Sequence, residues 1–236
     1  MTTLSAGPRA AAEQPAVPPR ATLAVVVLCF GGLSAALMQT LVIPLQGRLP
    51  VLLDTSSANA SWVVTATLLG GAVALPIPGS LSDPLGKQRV LLASTGLLFA
   101  GSVVCALSTS LLPMLAGRTL QGLAMGFIPV AISLLREITP PAQTGTAIAA
   151  MSGTLGVGGA IGLPLSAYVA DNYNWHALFW LSAILAVLVA LGVALVVPHV
   201  GARRGGRLDL VGAVGLAIGL VAVLVAITKG GDWGWD

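Results

Sequence analysis

Charge is scarce in this sequence. Only 8% of its 236 residues are Asp, Glu, Lys or Arg, against roughly 25% in a soluble domain. A water-compatible surface cannot be built from so few, which excludes a soluble globular enzyme or binding module. Aromatic residues make up 5%, and there are two cysteines and two histidines. Cys29 and Cys105 fall near opposite faces of the membrane in the span reading below, so no disulfide joins them and both read as small buried apolar residues. His176 and His199 have no second ligand at metal spacing, so both read as residues of a membrane interface and no metal site is expected. No phosphate-binding loop is present, so ATP-driven transport has no support. No basic block offers a surface to nucleic acid. No nucleophile arrangement and no cofactor motif can be defended, and the chain does not read as an enzyme.

Hydrophobicity is what the chain has instead: 56% of its residues are apolar and the mean hydropathy is +0.94. About 20 apolar residues cross a bilayer core as a helix. Seven runs meet or approach that length, at about 22–45, 61–81, 90–108, 111–135, 143–169, 176–197 and 208–228. The fold class is therefore all-α, a polytopic transmembrane helical bundle. The 29 glycines suit it, because glycine lets membrane helices approach closely. Prolines at 44, 76, 78, 113, 129 and 164 fall within or at the ends of these runs, where neighbouring helices can satisfy the freed carbonyls. Residues 1–20 are Ala- and Pro-rich without apolar period and read as a disordered tail. The run after them is 25 residues long, from Ala21 to Leu45, too long for a signal-peptide core of about 7–15.

Orientation follows from the cations. With the N-terminus cytoplasmic, Arg9, Arg20, Lys87, Arg89, Arg136, Arg203, Arg204 and Arg207 lie inside and only Arg48 and Lys229 lie outside. That is a strong positive-inside bias. The organisation is then a cytoplasmic tail (1–20), a six-span bundle (21–198), a basic cytoplasmic linker (199–207), and a seventh span with its outer end (208–236). Trp233 and Trp235 suit the outer interface. The multi-pass protein belongs in the plasma membrane. Seven spans with no tail beyond them read as part of a longer carrier.

One loop and three spans carry a more specific message. The stretch GSLSDPLGKQR, residues 79–89, joins spans two and three and holds Gly79, Asp83, Gly86, Lys87 and Arg89. Span four contains LAGRTLQGLAMG (115–126), with Arg118, Gln121, Gly122 and Gly126. Span five contains GVGGAIGLPLSAYVAD (156–171), with Gly158, Gly162 and Pro164. Span one contains ALMQTLVIPL (36–45), with Met38, Gln39 and Thr40. Together these resemble the major facilitator superfamily, in its fourteen-span drug:proton antiporter branch, over nearly all of residues 22–236.

The resemblance implies roles for these residues. Gly79, Asp83, Gly86, Lys87 and Arg89 would form a loop that helps latch the cytoplasmic gate, with Lys87 and Arg89 anchored to headgroups and able to neutralise Asp83. Arg118, Gln121 and Gly122 would form a coupling element. A charge inside a span is costly and faces the bundle interior or water, unless the arginine snorkels to the surface. Gly158, Gly162 and Pro164 would form an antiporter-like helix bend, although the proline sits one place beyond the family's position, at Pro164 instead of Leu163. Met38, Gln39 and Thr40 would line the substrate cavity, with Met38 where the branch carries an acid and Gln39 near enough to satisfy Arg118. All eight acids, Glu13, Asp54, Asp83, Glu137, Asp171, Asp209, Asp232 and Asp236, lie outside the deep parts of the spans.

The function implied is secondary active transport, with proton-coupled export of small amphipathic or cationic organic compounds by alternating access. Its partners would be a small-molecule substrate, the lipid bilayer, protons if the coupling holds, and a C-terminal half of the carrier. No cofactor is called for. The alternatives are a nutrient or metabolite carrier of the same fold and a non-transporting half-carrier.

Overall fold

The computed structural model describes residues 19–76, 81, 82, 84–199, 210–230 and 234, and among these there is no strand. The tail up to residue 18, Gly79, Asp83, linker residues 200–207, Trp233 and Trp235 lie outside the described residues. Eight longer helices follow in order: α1 (Pro19–Thr40), α2 (Ser57–Ala74), α3 (Lys87–Leu107), α4 (Leu111–Leu123), α5 (Phe127–Ile138), α6 (Pro141–Asn172), α7 (His176–Val196) and α8 (Leu210–Lys229). Among the described residues five segments are long and apolar enough to cross a membrane: Ala21–Leu45, Lys87–Leu107, Leu111–Ile138, Pro141–Asn172 and His176–Val196. The chain is a polytopic helical membrane protein.

Proline chemistry explains where the helices depart from the seven uniform runs. α1 stops at Thr40, and a 3₁₀ turn, Ile43–Leu45, carries Pro44 at its start. Pro44 has no N–H to return to the Thr40 carbonyl. The fourth crossing is two helices joined by a 3₁₀ turn at Ala124–Gly126, since Pro129 cannot donate to the Met125 carbonyl. α2 ends at Ala74, just before Pro76, after 18 residues, about 27 Å. It starts earlier than its apolar run because Ser56 caps it, accepting from the Asn59 amide at 3.2 Å. The seventh run is helical, with a described apolar stretch of Gly212–Thr228. Pro19 and Arg20 belong to α1, not to the tail.

α1 packs on α6 and α7, α3 on α7 and α4, α2 on α4, and α8 against α2. Two large apolar clusters fill the bundle, besides a small third one of Met38, Leu98, Ala124 and Ala186. One, with Leu28, Leu91, Leu134, Leu135 and Val193, lies toward the end that carries Lys87. The other, with Leu45, Leu49, Val63, Met114 and Leu178, lies toward the end that carries Arg48. The layer between them holds the buried polar side chains considered next.

Candidate functional site

Arg118 and Gln121 are three residues apart on α4, so they share a face of the helix. That face points into the bundle, and Arg118 is 2% exposed. Its Nε donates to the Val63 carbonyl of α2 at 3.3 Å, and its Nη1 donates to Gln121 Oε1 at 2.7 Å. Gln121 Nε2 passes the chain on to Ser102 Oγ of α3 at 3.0 Å, and Ser102 Oγ donates to the Leu98 carbonyl at 2.7 Å. One line of hydrogen bonds thus joins α2, α4 and α3. With its guanidinium enclosed, Arg118 does not snorkel. Two ion pairs exist among the described residues, Arg48–Asp171 and Lys87–Glu137, and Arg118 is in neither.

A cavity opens beside this line, with Met38, Gln39, Thr95, Arg118, Met125 and Phe127 among its walls. It has about 440 Å³ of space counted out to its mouth, of which about 20 Å³ admits the centre of a water molecule. The enclosed space therefore holds about one water. Met38 and Gln39, expected as substrate-cavity residues, are both among these walls. Gln39 does not bond Arg118, however: its Nε2 donates to Met125 Sδ at 3.1 Å, and Gln121 on the arginine's own helix occupies the guanidinium instead. Thr40 turns away. Its hydroxyl donates to the Leu37 carbonyl at 2.9 Å and it presses on Gly162 of α6. Gly122 lies outside the cavity, where a Cβ would strike the Thr67 carbonyl of α2. Its role is to let the two helices touch.

α6 also meets α1 through glycine. A Cβ at Gly158 or Gly162 would collide with the Leu33 carbonyl or the Thr40 side chain, respectively. Pro164 lies inside α6, which continues to Asn172, and the Ser166 hydroxyl donates to the Leu41 carbonyl just beyond α1.

The loop residues divide. Gly86 takes φ 89°, a left-handed value suited to glycine, and caps α3. Lys87 is not a headgroup anchor. Its side chain is buried, with Nζ 2.6 Å from Glu137 Oε1 at the end of α5 and 3.4 Å from the Ser133 carbonyl. Helical geometry points this first-turn side chain inward, and a carboxylate 50 positions later meets it. Arg89 is exposed. Sequence reasoning missed Gln88 between them. It is buried, and its amide donates to the Val193 and Val197 carbonyls at the end of α7 at 3.1 and 2.9 Å. Its Oε1 has no partner.

At the opposite end His176 is more than an interfacial residue. Its ring nitrogens lie 2.6 Å from Asn174 Oδ1 and 3.0 Å from the Ser108 carbonyl, with the Trp175 ring centroid 3.7 Å away. It ties α7 to the end of α3. His199 is exposed, and among the described residues no cluster of His, Cys, Asp or Glu could hold a metal ion. Cys29 and Cys105 are free thiols.

Comparison with known proteins agrees with this architecture. The sequence pattern of the Major Facilitator Superfamily matches residues 28–212. The chain belongs to that superfamily. An MFS-type transporter of Mycobacterium tuberculosis is 33% identical over 223 residues, covering 92% of this chain and 32% of the relative. The multidrug export protein EmrB of Escherichia coli K12 is 31% identical over 191 residues, covering 78% of this chain and 36% of EmrB. Among solved structures, the POT family transporter PepTSo matches with a TM-score of 0.71 at 15% identity, over 91% of this chain and 53% of that one. The xylose transporter XylE from E. coli matches at 0.70 and 15%, over 89% and 60%. At such identities the structural likeness shows the fold alone. The chain spans about a third of the length of these two curated relatives.

Proposed function

We propose that this chain forms the N-terminal half of a secondary carrier that exports small amphipathic organic compounds by alternating access. The observation that carries this reading is the Arg118–Gln121–Ser102 line, a buried polar chain beside a cavity between two apolar clusters. Polar and charged groups inside a membrane bundle are costly, and they mark the path of what is moved. The kinship with EmrB, named as a multidrug export protein, supports amphipathic cargo.

In this reading the Lys87 end faces the cytoplasm of a cell whose plasma membrane holds the protein, as the distribution of cations favours. The buried Lys87–Glu137 pair ties the gate loop to the end of α5. Proton coupling would need a carboxylate from elsewhere, because the described acids Asp54, Glu137 and Asp171 all sit at the ends of helices or in loops.

The test is efflux from cells expressing the complete coding sequence, loaded with a fluorescent amphiphile. Export that Arg118→Ala abolishes at equal expression supports the reading, and retention equal to cells without the protein rejects it. In proteoliposomes with an imposed pH gradient, efflux indifferent to that gradient rejects proton coupling alone.

A further inference from the structure

The guanidinium of Arg118 is buried with neutral partners only. It carries five N–H donors, and two serve the Val63 carbonyl and Gln121 Oε1. Three remain, on a side chain that forms a wall of the cavity. A buried cation is ordinarily paired, and breaking such a pair is among the more destabilising changes a protein can undergo. No described acid is among the cavity's walls, which beyond Arg118 are neutral: Gln39, Gln121, Ser94 and Thr95 by polarity, Met38 and Phe127 among the apolar ones.

We propose that the cavity is an anion site: a cargo molecule enters with a carboxylate, or a like monoanionic head, on the unused edge of Arg118 and its apolar body toward Met38, Met125 and Phe127. The inference rests on the carrier reading above and narrows its cargo from amphipathic compounds in general to amphipathic organic anions. A planar carboxylate matches the two-pronged edge of a guanidinium. Gln39 is placed to help, because its amide now rests on a thioether sulfur, a weak acceptor that an oxyanion would displace. A cationic cargo, by the same geometry, meets an uncompensated positive charge.

The test uses the protein made from the complete coding sequence, purified into lipid nanodiscs, and three probes of one shape: 2-naphthoate, 2-naphthamide and 2-naphthylmethylammonium. Equilibrium binding is read by calorimetry. The carboxylate binds at least about tenfold more tightly than the amide, and the ammonium binds least. Arg118→Gln brings carboxylate and amide together. Should that variant fail to fold, Gln39→Glu decides, since a carboxylate built into the wall occupies the arginine from within. That variant keeps Arg118, raises the melting temperature, and loses the preference for naphthoate. Equal binding of carboxylate and amide to the unaltered chain overturns the proposal, as does a naphthoate preference that survives Gln39→Glu. The export reading fails separately. An anion preference in nanodiscs with no efflux from cells sinks transport and leaves the site standing, whereas export of neutral amphiphiles with no anion preference does the reverse.

Discussion

Among the described residues the two ends of the bundle each hold one short ion pair, and the two pairs are built differently. Arg48 and Asp171 meet at 2.8 Å with side chains 58% and 60% exposed. Lys87 and Glu137 meet at 2.6 Å with side chains 7% and 24% exposed. The same pattern recurs in the neutral bonds. Gln88 at the Lys87 end is buried against the last carbonyls of α7, while His176 at the Arg48 end holds its ring at a partly exposed edge. A short distance therefore says little by itself. Solvent decides whether losing a partner is trivial or costly, so the Lys87 end should be the stiffer of the two.

Breaking that end should have the largest effect. Glu137→Ala strands the buried Lys87 ammonium and lowers stability by about 3 kcal/mol, read as thermal unfolding of the detergent-solubilised protein. Adding Lys87→Met to that variant should recover most of the loss, since an apolar pair needs no counter-ion. Next comes Gln88→Leu, which removes the donor from the α7 carbonyls and costs about 1–3 kcal/mol. Gln88→Lys sharpens the contrast. It returns donors to the α7 carbonyls but leaves a buried ammonium without a counter-ion, so it should melt no higher than Gln88→Leu. At the other end His176→Phe keeps the ring packing on Trp175 and loses about 1 kcal/mol with its bond to Ser108. Asp171→Asn should be smallest, at most about 1 kcal/mol and fading as salt is raised. A loss from Asp171→Asn equal to that from Glu137→Ala would erase the distinction between the ends.

Much of the fold was legible because hydropathy and proline act locally. The long apolar runs and the single arginine inside one of them can be read from neighbouring residues alone. Arg118 was visible as an outlier, and Gln121 was visible three places on. Its third link, Ser102, was not, because a serine in an apolar run carries no signal until another helix turns toward it. Lys87 misled for a related reason. A lysine at the start of a span resembles a headgroup anchor, and only folding brings Glu137 beneath it. Thr40 was assigned to the cavity together with Gln39 as part of one short motif, yet its hydroxyl bonds back to the Leu37 carbonyl of its own helix and its side chain packs on Gly162 of α6. Gln88 lay between two charged residues and was passed over, although it makes the better-buried contact.

The length of α6 has a consequence of its own. Its 32 residues extend about 48 Å, whereas the hydrocarbon layer is about 30 Å deep. Such a rod must lean, or stand proud of the lipid at one end or both. Because Gly158 and Gly162 press it against α1, any lean of α6 carries α1 with it. Acyl-chain length thereby becomes a control on the bundle: thicker bilayers draw the pair upright and thinner ones lay it over.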